Sequence, residues 1–158
     1  MTRENLFKRS VYARQLEVVS RRVKIAESET PYLDRVMQSP EDVYKCFKNV
    51  FQEQPAELFL VIHLRTNNAV NAFEIVTKGT LNSSLAHPRE VYRSAILQNA
   101  ASIIAAHNHP SGNAMPSQED IQITKQLVEA GKIIGIPLND HVIFTEERYY
   151  SFAESGNI

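Results

Sequence analysis

Two histidines and an aspartate, gathered in the stretch His107-Asn108-His109-Pro110-Ser111-Gly112-Asn113-Ala114-Met115-Pro116-Ser117-Gln118-Glu119-Asp120, are the side chains here best suited to chemistry. His107 and His109 stand two apart at the end of the apolar run Ala101–Ala106. In extended backbone the side chains at i and i+2 leave the same face, so both imidazoles can converge on one point. Ser117 is suited to cap a helix, which places Asp120 at the third helical position. Asp120 then shares a face with Ile123 and Leu127, in a stripe continued by Ala130 and Ile134 that should face a sheet. An unpaired carboxylate pointing inward is costly, and a divalent cation shared with the two imidazoles removes that cost. Two neutral imidazoles and one carboxylate leave a fourth zinc position open, the mark of a catalytic site, where water ionises near neutral pH and attacks a carbonyl. The stretch therefore predicts a zinc-dependent hydrolase with Zn2+ on His107, His109 and Asp120. Two blander uses compete: Ser117 to Asp120 as a helix-capping pair, and the histidines as polar loop residues. Neither alone accounts for the inward aspartate together with the paired imidazoles.

The elements that must position these residues follow from patterning. Ser39-Pro40 opens a helix with Val43, Phe47 and Val50 on one stripe. Leu58–Leu64 reads as a buried strand, and Ala69–Thr77 returns antiparallel to it across Asn67-Asn68, because Asn tolerates positive φ. Gly79–Ser84 is a polar loop, and Pro88 starts a second helix through Val91, Ala95 and Ile96. Ala101–Ala106 forms a short strand, and the loop His107–Pro116, punctuated by Pro110, Gly112 and Pro116, turns into a third helix from Ser117 to about Ala130. Ile136–Thr145 is a last strand before a polar, aromatic tail. Strands alternating with helices, with one early hairpin, predict an α/β fold: a mixed sheet with flanking helices.

Bulk properties set limits on this reading. The 158 residues are 43% hydrophobic and 22% charged, ordinary for one globular domain. No run reaches the roughly 18 apolar residues of a membrane span, and Met1 to Ser20 has no apolar core of a secretory signal, so a cytoplasmic location is expected. Cys46 is the only cysteine, which rules out an intrachain disulfide and a thiolate cluster and leaves nitrogen and oxygen ligands for any metal. The net charge of −1 argues against the global positive field of a nucleic-acid binder. Residues 1–37, however, hold eight Lys/Arg against five Asp/Glu, with Arg21-Arg22 and Lys24 as a basic stripe. They are read as an N-terminal extension, with an extended arm at Leu16–Ile25 and a linker at Glu27–Pro31, ahead of a domain at 38–158.

The text around the site resembles a known family. His107-x-His109, seven residues, Ser117, two residues, Asp120 resembles the JAMM (MPN+) metalloprotease motif. Gly79-Thr80-Leu81-Asn82-Ser83, His87-Pro88-Arg89-Glu90-Val91, the His-Asn-His-Pro-Ser-Gly loop and Asp140-His141 are similar to the RadC-like branch of JAB/MPN domains. The resemblance runs over about residues 38–145. It implies a cytidine-deaminase-like α/β/α sandwich and a catalytic glutamate before the first core strand, where Glu57 stands as general base, with Glu90 and Glu74 as competitors. It implies oxyanion support from Ser117, whose alternative use is the helix cap. His87 and Asp140-His141 would orient ligands or loop backbone, and His63 is read as a hydrogen-bonded core histidine. The expected substrate is a peptide or protein bearing an amide or isopeptide bond. The alternative is a non-catalytic RadC-like module in DNA metabolism or mobile elements, with DNA contact through the basic arm. RadC-type chains carry a helical segment ahead of this domain, and residues 1–37 lack its hairpin pattern, an expectation against DNA binding.

Overall fold

The computed structural model describes residues 34–79 and 86–158. The extended arm at Leu16–Ile25, the basic stripe, the linker at Glu27–Pro31 and most of the Gly79–Ser84 loop lie outside those residues.

Helix α1, Pro40–Phe51, begins with Ser39, whose hydroxyl accepts from the Asp42 amide while the Asp42 carboxylate accepts from the Ser39 amide. This reciprocal capping satisfies two donors that the first turn would otherwise leave open. Strand β1, Leu58–Leu64, is buried along its whole length, as expected of a run apolar on both faces. It turns through Asn67-Asn68, where Asn68 takes φ 59° and the Asn67 side chain accepts from the Ala69 amide. Strand β2, Val70–Lys78, then pairs back antiparallel. Residues at the end of the assigned extension join this hairpin: Val36 bridges Ala69, and Met37 is buried in the core.

Helix α2, Pro88–Leu97, leads to strand β3, Ser102–Asn108, and helix α3, Gln118–Ile134, leads to strand β4, Leu138–Phe144. The short strand β5, Tyr149–Ser151, closes the sheet where the sequence suggested only a tail. Three residues are too few for periodicity to betray a strand. Helix α3 runs one turn beyond the expected end, to the left-handed cap at Gly135, φ 81°. The sheet order is β2-β1-β3-β4-β5, with β3 parallel to β4 and the other pairs antiparallel.

Alternation along the strands divides the core between two faces. Leu58, Leu60, Ile62 and Leu64 pack with Val43, Phe47 and Phe51 of α1. Phe59 and Val61 pack with Val91, Tyr92 and Ala95 of α2 and Leu127 of α3. Each such side chain, fully buried, contributes about 1.5–3 kcal/mol. The result is the expected α/β sandwich, a mixed five-stranded sheet between α1 and the α2–α3 pair. Among the described residues no helix is long and apolar enough to cross a membrane.

Candidate metal centre

The three residues singled out by spacing come together at the junction of β3 and α3. His107 is the penultimate residue of β3, and His109 follows one residue beyond the strand. Their Nε2 atoms lie 3.0 Å apart. Asp120 reaches them from the first turn of α3, with Oδ1 at 3.1 Å from His107 Nε2 and Oδ2 at 3.3 Å from His109 Nε2. The three side chains are 6%, 12% and 15% exposed, open enough for a small molecule to reach.

Hydrogen bonds fix which ring nitrogens carry protons. The Thr124 hydroxyl donates to the Asp120 carbonyl at 2.6 Å, so its oxygen accepts from His141 Nδ1–H, also at 2.6 Å. His141 Nε2 is then an acceptor and takes the proton of His107 Nδ1 at 2.8 Å. His107 Nε2 is left with a lone pair facing the cluster. His109 Nδ1 donates to the Asn113 carbonyl at 2.7 Å, which leaves its Nε2 lone pair facing the same point. The turn from His109 to Gly112, closed by the Gly112 amide on the His109 carbonyl with Gly112 at φ 78°, brings Asn113 back into reach. Rings brace the network from both sides: Phe59 stacks at 6.0 Å from His107 and Phe152 at 5.1 Å from His141.

Two imidazole lone pairs and a carboxylate crowded together repel unless positive charge lies among them. Burial by itself would raise the Asp120 pKa, but the His107 and His109 rings, whenever a proton sits on Nε2, and the Ser117 hydrogen bond hold the carboxyl well below the usual carboxylate range. Burial works against a charged His109, yet the Asp120 hydrogen bond and the Asn113 carbonyl outweigh it and hold that imidazole above its ordinary pKa. A tetrahedral zinc with bonds of about 2.0–2.1 Å separates its ligand atoms by about 3.3 Å. The imidazole nitrogens lie 3.0 Å apart and each has a different Asp120 oxygen within 3.3 Å, close to that spacing, and the donor set is one that could hold a metal ion.

The capping use of Ser117 and Asp120 proves compatible with the cluster. The Ser117 amide and hydroxyl both donate to Asp120 Oδ2 at 2.7 Å, and the Asp120 amide donates back to Ser117 Oγ at 3.1 Å. Asp120 Oδ1 is left to face His107.

Glu57 stands directly before β1 and lines a cavity of about 400 Å³ together with His107, Asp120, Phe59, Ile123 and His87. Its rivals lie elsewhere: Glu74 and Glu90 both pair with Arg93, at 3.7 and 3.4 Å. His87 caps α2 by accepting from the Arg89 amide at 3.0 Å. Asp140 accepts from Ser151 Oγ at 2.7 Å and from the Ala153 amide at 3.0 Å, which ties β4 to the turn carrying Phe152. His63 is buried, its Nε2 2.9 Å from Ser94 Oγ, and burial pushes its pKa down to about 4.

Sequence reasoning did not identify Thr124 or Asn108. Thr124 carried a readable signal, one helical turn from Asp120 on the same face. Asn108 carried none, because its partners are 50 and 52 residues away.

A mixed sheet between helices, with a two-histidine, one-aspartate cluster where a central strand meets a helix, defines an α/β domain with a candidate metal centre. The profile of the RadC-like JAB domain matches residues 37–157, and the chain belongs to that family. A UPF0758 protein of Methanosarcina mazei is 45% identical over 122 residues, covering 77% of this chain and 53% of that protein. UPF0758 proteins of a Geobacillus species and of Caldanaerobacter subterraneus are 46% and 47% identical over 123 and 118 residues, covering 78% and 75% of this chain and 54% and 51% of theirs. The chain spans about half the length of these curated relatives.

Proposed function

We propose that this domain is a zinc-dependent, JAMM-type metallopeptidase that cleaves an amide or isopeptide bond in a peptide or protein, acting in the cytoplasm. One observation carries the reading: three lone-pair-bearing atoms, His107 Nε2, His109 Nε2 and an Asp120 carboxylate oxygen, converge at the edge of a cavity that also holds a glutamate. When bound there, zinc would supply Lewis acidity, lowering the pKa of water and polarising a carbonyl.

The remaining steps belong to the protein. Glu57 takes the proton of the attacking water and passes it to the leaving amine. Ser117 Oγ–H is the candidate donor to the oxyanion. It would have to release Asp120 Oδ2, which keeps the Ser117 amide as a partner. Phe59 and Ile123 line the cavity with apolar surface that limits bulk water around the reacting carbonyl.

Metal analysis of purified protein should find about one zinc per chain, the stoichiometry of a single three-ligand site. His109→Ala should lose the zinc. Glu57→Gln should keep it and abolish cleavage of a peptide library. Full zinc retention in His109→Ala, or wild-type cleavage by Glu57→Gln, would overturn the assignment.

A further inference from the structure

We infer that Asn108 is a positioning residue that fixes Glu57 relative to the metal ligands, an inference that rests on Glu57 serving as base in the proposed hydrolase. Asn108 sits between His107 and His109, so alternation sends its side chain through the opposite face of β3. There it is 5% exposed. Its Oδ1 accepts the Leu58 amide at 2.7 Å, and its Nδ2 donates to the Ala56 carbonyl at 3.3 Å. The residues it grips are those on either side of Glu57.

The clamp replaces main-chain pairing at the point where pairing stops. The β1–β3 ladder ends with Phe59 opposite His107. Beyond it β3 continues toward His109, whose amide bonds the Phe144 carbonyl of β4. Without Asn108 the segment before Leu58 would have no tie to β3 among the contacts described. The Gly79 amide holds the other side, donating to the Glu57 carbonyl at 3.0 Å. Glu57 is thus anchored through its backbone on both flanks, with its side chain left to face the cavity that His107 and Asp120 also line. One imidazole and the base consequently take their spacing from one strand: His107 supplies its ring from one face, and Asn108 sets the glutamate from the other. A base must lie within hydrogen-bond reach of the proton it abstracts, and misplacement by about 1 Å can cost a hundredfold in rate.

Cobalt(II) in the metal site, with glutamate labelled by 13C at the carboxyl carbon, tests this without a substrate. The Glu57 signal, assigned by its loss in Glu57→Gln, should be strongly broadened by cobalt in the wild type. Asn108→Ala should still bind cobalt stoichiometrically, because its ligands are untouched. Its Glu57 broadening should fall several-fold, and the Leu58 amide should exchange about tenfold faster for the loss of one hydrogen bond. If a cleavable peptide is in hand, kcat should fall with KM little changed. Unchanged broadening in Asn108→Ala overturns the inference, as does lost broadening with unchanged cleavage. If Asn108→Ala does not fold, Asn108→Asp carries the test, since it keeps the acceptor for Leu58 and loses the donor to Ala56. Its Leu58 amide should stay protected while Glu57 broadens less than in the wild type, and wild-type broadening there overturns the inference. A wild-type protein that binds cobalt and cleaves nothing defeats the hydrolase reading alone, so the two failures are told apart.

Discussion

His141 stands outside the three-residue cluster, yet it decides which nitrogen of His107 turns its lone pair toward that cluster. Its own proton goes to Thr124, and its lone pair takes the proton of His107, so the ligating tautomer is set two bonds away from the cluster. Metal-binding histidines usually donate that proton to a carboxylate or a carbonyl. A neutral, fully buried imidazole serves here, and burial, the largest influence on it, keeps its pKa well below the ordinary value. Replacing a partner of this kind costs about 10–100-fold in metal affinity. His141→Phe should therefore weaken zinc binding by that factor while preserving the fold, since Phe152 and Phe59 can pack against the new ring. Zinc titration against a competing chelator measures it, and wild-type affinity would remove His141 from the network. That His107, His109 and Asp120 come together was legible at this scale because alternation on a strand and spacing on a helix are local rules. The resemblance pointed to Asp140-His141 as orienting groups, but spacing alone did not show that His141 meets His107, because the two come together through parallel pairing of β3 with β4 across 34 residues.

Among the elements, α3 shows how a local preference yields to packing. Gly131 lies inside the helix, where alanine would ordinarily be favoured by about 1 kcal/mol. A Cβ at this position would lie 2.5 Å from Tyr92 Oη and 2.6 Å from the Ile136 carbonyl. The Tyr92 hydroxyl is itself committed, donating to the Leu127 carbonyl at 2.8 Å. Gly131→Ala should thus destabilise, by about 1–3 kcal/mol as overpacking does, despite the gain in helix preference. Urea denaturation reads the difference, and a stabilised variant would mean that α2 can back away from α3. Strands β1 and β2 and the helices α1 and α2 were readable from apolar runs, caps and turn residues, since each signal lies within its own segment. The end of α3 and the existence of β5 were not. The helix runs past Ala130 to the left-handed Gly135, whose amide bonds the Gly131 carbonyl, and β5 depends on Asp140 gathering Ser151 and Ala153.

Across the whole molecule, buried neutral histidines tie stability to acidity. His63 has one ring nitrogen on Ser94 and the other, Nδ1, without a hydrogen-bond partner among the described residues, and burial pushes its pKa to about 4 from 6.5. A group whose folded pKa is depressed lets the unfolded chain take up the proton first. Its contribution is therefore present above about pH 6.5 and is lost as pH falls toward about 4. At pH 5 that loss should be about 2 kcal/mol from His63 alone. Denaturant unfolding of the metal-free protein at pH 7 and pH 5 should show it, and His63→Leu should flatten the slope. An equally steep slope in that variant would assign the acid sensitivity to other groups.

The alternation of side chains along β3 has a consequence for how the centre is made. Sliding this strand by a single residue against its neighbours would turn both imidazoles toward α1 and send the asparagine into the cavity. That single alignment error would misplace the two imidazoles and the clamp on the glutamate together, so one register choice governs both halves of the centre.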